Sequence, residues 1–66
     1  MEHNMPKFLF NLHQTVELGI SGEQGYIKGR AEYLTSGPQY FVHYKAADGR
    51  AVSAWFDEED LTEITE

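Results

Sequence analysis

The stretch YFVHYKAADGRAVSAWF, residues 40–56, alternates side-chain character with a period of two on both sides of an Asp-Gly dipeptide. Period two is the repeat of a pleated strand, and Asp-Gly supplies the positive φ values of a tight hairpin, expected here as a type I′ turn. Tyr40, Val42 and Tyr44 then share one face, with Phe41, His43 and Lys45 on the other. The same repeat occurs at Phe8, Phe10 and Leu12 and again at Val16, Leu18 and Ile20, with a break expected near His13–Thr15. It returns after SGEQG, where Ile27, Gly29, Ala31 and Tyr33 oppose Tyr26, Lys28, Arg30 and Glu32. Glycine inside a strand pattern predicts a bulge, a sharp bend or a close backbone approach at Gly29, as at a barrel corner. TSGPQ reads as a loop and DEED as a single helical turn capped by Asp57, with Leu61 and Ile64 in a short closing strand or apolar clasp.

No long helical period interrupts this pattern, so the chain reads as all-β. About five short antiparallel strands, with a one-turn helix before the last, predict a small SH3-like barrel over residues 8–66. Residues 1–7, which include Pro6, read as a loose arm. With 66 residues and no cysteine, a chain this small has a thin core and no disulfide to reinforce it. Association with another subunit is the remaining route. No apolar run approaches the ~20 residues of a membrane span. MEHNMPKFLFNL lacks the basic and small-residue features of a signal peptide. A cytoplasmic protein is expected.

The formal net charge is −6, unevenly spread. Residues 26–50 carry Lys28, Arg30, Lys45 and Arg50 against Glu32 and Asp48, while the acids dominate elsewhere. That balance disfavours strong nonspecific binding to nucleic-acid backbones. It leaves room for a local strip of Tyr26, Lys28, Arg30, His43 and Lys45, where interleaved aromatics and cations would suit single-stranded nucleic acid. The plainer account of those cations is cross-strand pairing with Glu17 or Glu32.

Trp55, the only tryptophan, has two registers open to it. With Val52, Ala54 and Phe56 inward it points outward beside Ser53; one slip buries it and exposes Phe56. An outward Trp55 with Phe41 and Tyr40, oriented by Arg30 and Lys45, would anchor a protein partner or a second copy. The acids 57–60 read as a solvated turn at a helix N-terminus, because consecutive carboxylates splay apart instead of converging on a cation. His3, His13 and His43 lack metal-ligand spacing, and neither a catalytic triad nor a phosphate loop emerges. No catalytic residue, cofactor or metal is expected.

Two resemblances follow. SGE-x-G, GRAEY, YKAADGRAV and a tryptophan before an acid-rich turn, across residues 16–64, resemble a set of very small proteins encoded by bacteriophages and prophages. That resemblance implies a phage or prophage context, in the host cytoplasm or associated with the virion. The order of glycine-interrupted strand, hairpin, one-turn helix and L-x-x-I is similar to the plasmid-borne type II dihydrofolate reductases. These are SH3-like barrels that associate and build their pore from a Val-Gln-Ile-Tyr strand. Ser53, Ala54, Trp55 and Phe56 take those positions, and Ala54 stands where that family has its ligand-contacting glutamine. The resemblance therefore implies the architecture rather than the reductase activity.

Overall fold

The computed structural model describes residues 8–64, so the arm assigned to residues 1–7 lies outside the described part. The alternating runs become β1 (Thr15–Leu18), β2 (Gln24–Ala31), β3 (Gln39–Lys45), β4 (Ala51–Asp57) and β5 (Leu61–Glu63). A 3-10 turn, Glu58–Asp60, precedes β5. All pairings are antiparallel in one sheet of order β4-β3-β2-β1-β5. The chain meanders through four strands, and the turn then returns it so that β5 lies beside β1. This is the all-β class expected from the sequence, with the single helical turn in its expected place. Among the described residues no helix is long and apolar enough to cross a membrane.

The core is one face of this curled sheet: Val16, Leu18, Ile27, Tyr40, Val42 and Leu61, joined by Phe10 from the segment before β1. Phe8, Tyr44 and Phe56 pack around its margin. β2 and β3 approach closely at Gly25, which pairs with Tyr44. A Cβ at Gly25 would come within 2.7 Å of the Tyr44 Cβ.

Four local expectations are corrected. The alternating residues 8–12 do not form a strand. Only Phe8 and Phe10 of that set reach the core, and Leu12 and Ile20 are exposed. His13 takes a positive φ of 74° and breaks the extended run, while its N–H still donates to the Ile27 carbonyl at 2.7 Å. The hairpin at Asp48-Gly49 is not type I′, since of that pair only Gly49 has positive φ. Gly49 N–H closes the turn onto the Ala46 carbonyl, and the Asp48 carboxylate holds the Arg50 N–H instead. Asp57 precedes the 3-10 turn but makes no side-chain cap; its carboxylate accepts from Gln39 Nε2 at 2.8 Å. Nor are the acids of the turn all solvated, because Glu58 is drawn into the structure.

Glu58 Oε2 accepts from the Leu9 N–H and from the Tyr40 hydroxyl. The same hydroxyl accepts from the Phe10 N–H at 3.4 Å, and the Tyr40 ring meets Phe8 and Phe10 edge-on at 5.9 and 5.2 Å. One side chain thus ties the segment before β1 to β3 and to the 3-10 turn. Burial, then the hydrogen bond to Glu58, pushes the Tyr40 phenol up to about 12.

A free tyrosine titrates near 10, and only the neutral phenol can donate to Glu58. The contribution of Tyr40 is therefore complete below pH ~10 and lost as pH rises through about 12, a loss of roughly 2–3 kcal/mol. Urea unfolding between pH 8 and pH 12 should show this decline. Tyr40→Phe should flatten it while costing about 1–3 kcal/mol at pH 8, because Glu58 and the Phe10 N–H lose their partner.

Candidate functional site

The outer face of β2, β3 and β4 gathers the residues that could contact a partner. Cross-strand pairing sets them in two rows. In the first, Tyr26 pairs with His43 and His43 with Ser53. The Tyr26 ring lies 5.4 Å from His43 and 5.4 Å from His13, and His43 Nδ1 is 2.9 Å from Ser53 Oγ. In the second, Phe41 pairs with Trp55, their rings 4.9 Å apart and inclined by 36°. The Lys28 ammonium sits over the Phe41 ring, 5.6 Å from its centre.

The register decides the orientation of Trp55. Val42 faces Ala54 and Tyr40 faces Phe56, so Ala54 and Phe56 belong to the core side. Trp55 points outward and is 48% exposed. Of the four positions that correspond to the reductase strand, Ser53 and Trp55 are on the outer face and Ala54 and Phe56 on the inner.

Two residues expected in this surface leave it. Tyr40 is fully buried, because its even parity with Val42 carries it into the core, and it cannot anchor a partner. Arg30 is turned away by the bulge in β2: Ile27 faces Val42, but Gly29 faces Phe41 and Arg30 faces Tyr40. Lys28 and Gly29 together oppose one residue, so the parity beyond them is reversed. The Arg30 guanidinium lies 4.5 Å from the centre of the Phe8 ring and donates to the Phe10 carbonyl at 3.2 Å. Lys45 stays exposed at the end of β3, opposite Ala51. His13 joins the surface unannounced, since only the left-handed backbone at that position turns it toward Tyr26.

Of the hydroxyl, imidazole and carboxylate that a triad would need, His43 and Ser53 meet, while Asp57 is engaged by Gln39 instead. Among the described residues no three His, Asp or Glu side chains converge as a metal site requires. A separate open cleft of about 640 Å³ lies beside the 3-10 turn, bounded by Leu9, Tyr33, Pro38, Gln39, Asp57 and Glu59. Three of its polar groups are linked to one another, Tyr33 donating to Gln39 and Gln39 to Asp57, each at 2.8 Å. Comparison with protein-family models, curated proteins and solved structures gives no match.

An outward aromatic pair contributes little to folding compared with a core residue. Trp55→Ala should lower stability by about 0.5–1.5 kcal/mol. Ile27→Ala, which empties a fully buried position, should cost about 2–5 kcal/mol. Urea denaturation of the two variants measures the difference, and iodide should quench the wild-type tryptophan readily.

Proposed function

We propose that this chain is a non-enzymatic protein-interaction module of phage or prophage origin, binding its partner through the outer face of β2, β3 and β4. The observation that carries the reading is the Phe41–Trp55 pair with Lys28 above it. Aromatic rings already held in place by neighbours lose little freedom on binding, and tryptophan and tyrosine dominate the energetics of protein interfaces. Tyr26 and His43 extend the surface, and Lys28 and Lys45 give it a weak preference for acidic or carbonyl-rich partners. The phage context is supported by the GRAEY and YKAADGRAV patterns.

A displayed random-peptide library tests this directly. Peptides enriched on the wild-type protein should lose at least tenfold in affinity for Trp55→Ala and for Phe41→Ala, with unchanged binding to Leu34→Ala, a control on an exposed loop residue. Blue-shifted emission of the single tryptophan on binding would place the peptide over Trp55. Selected peptides that bind all three variants equally would remove the outer face as the site.

The rows of rings also favour a second reading, contact with single-stranded nucleic acid. With Arg30 turned toward Phe8, Lys28 and Lys45 are the basic residues left on this surface among the described residues. Neutralising two phosphates corresponds to a slope of only about −1.4 in log K against log salt. That electrostatic contribution is small, which is why a protein partner is preferred. Titration of oligothymidine at low salt, followed by tryptophan quenching, should give weak binding with a slope of roughly that size; no quenching would end this reading.

A further inference from the structure

β4 is an unguarded edge. Its seven residues pair with β3 without interruption, from Asp57 opposite Gln39 to Ala51 opposite Lys45. Among the described residues no other backbone hydrogen bond reaches it. Soluble proteins protect such edges with lysine, proline, a bulge or brevity. β5, at the other end of the sheet, is protected by being three residues long. AVSAWFD has none of these devices, and its only charge is the terminal Asp57. Nearly uncharged and free of proline and glycine, with Val52, Trp55 and Phe56 as β-formers, it has little to prevent a further strand from pairing.

We propose that β4 is the interface of a homodimer, pairing antiparallel with β4 of a second copy about a two-fold axis through Ala54. The two ends of the strand are complementary to each other. Arg50 and Lys45 lie at its start, with Asp57, Glu58 and Glu59 at its finish. Antiparallel pairing sets each basic end against the acidic end of the other copy, twice over; parallel pairing would oppose like to like. Arg50 is partly neutralised by Asp48 at 3.1 Å, so the complementarity fixes direction more than it adds affinity.

Centring on Ala54 sets Ala51 opposite Asp57, Val52 opposite Phe56 and Ser53 opposite Trp55. This register pairs all seven residues and opposes no like charges. It also keeps both core faces on one side of a continuous ten-stranded sheet, whereas a shift by one residue would turn the second copy over. The outer faces then merge, and two Phe41–Trp55 pairs flank the axis, each Trp55 beside the other copy's Ser53. The pairing stands without any bound partner; only the doubled surface rests on the function proposed above.

The chain has no cysteine, so a single introduced thiol reports contact unambiguously. Under mild oxidation Ala54→Cys should form a disulfide-linked dimer, and Ala47→Cys in the hairpin loop should not. In sedimentation the wild type should be a reversible dimer. Ala51 is exposed, so Ala51→Glu, set against Asp57, should raise the dissociation constant at least tenfold with the circular dichroism unchanged. Ala51→Lys should leave it unchanged or lower it. A wild type that is monomeric at every concentration, equal effects of the two Ala51 variants, or cross-linking through residue 47 and not 54 would overturn the proposal. A foreign peptide strand seated on β4 of a monomer would overturn it too. A monomer whose selected peptides still depend on Trp55 loses the dimer alone, while a β4 dimer that selects no peptide loses only the outer-face reading.

Discussion

The Tyr40 hydroxyl holds this structure together where its core is thinnest. It accepts from the Phe10 N–H and donates to Glu58, which also receives the Leu9 N–H. A five-stranded sheet of this size has one buried face and few side chains to fill it. Phe8 and Phe10 complete that face only if the segment carrying them is held against β3, and its backbone bonds to β2 come only beyond them, at His13 and Gln14. The phenol supplies the attachment: its ring is apolar surface for both phenylalanines, and its oxygen satisfies polar groups that would otherwise be stranded at the rim.

The division of the sheet into an inner and an outer face depends on the bulge at Lys28 and Gly29. Had the alternation run straight through β2, Arg30 would stand on the outer face with Lys28 and Tyr26. One extra residue reverses the parity, and the guanidinium instead covers Phe8 and bonds to the Phe10 carbonyl. The bulge therefore makes Arg30 part of the same attachment as Tyr40. It also leaves the outer face more aromatic than basic.

Two properties of β4 meet in one strand. Its outer side chains complete the aromatic rows through Trp55 and Ser53, and among the described residues no strand pairs with its other edge. Four consecutive acids, Asp57 to Asp60, follow at the end of the strand and in the turn beyond it.

Much of the fold was legible in the residues themselves. Period-two alternation, glycine-rich breaks and the DEED run specify strands, loops and a turn through local backbone chemistry, and the outward register of Trp55 was one of two that alternation allowed. The choice between those registers came from tertiary pairing, because only the burial of Val42 and Tyr40 against Ala54 and Phe56 makes one face the core. Gly29 announced a bulge, but the reversal it imposed on Arg30 appears only once the partner strand is in place. Phe8, Phe10 and Leu12 looked like a strand because alternation registers side-chain polarity and not the availability of a ladder to join. Local sequence thus determined which segments extend and where they turn. Which side chains became core, attachment or contact surface was decided by strand pairing and by one phenol reaching across the sheet.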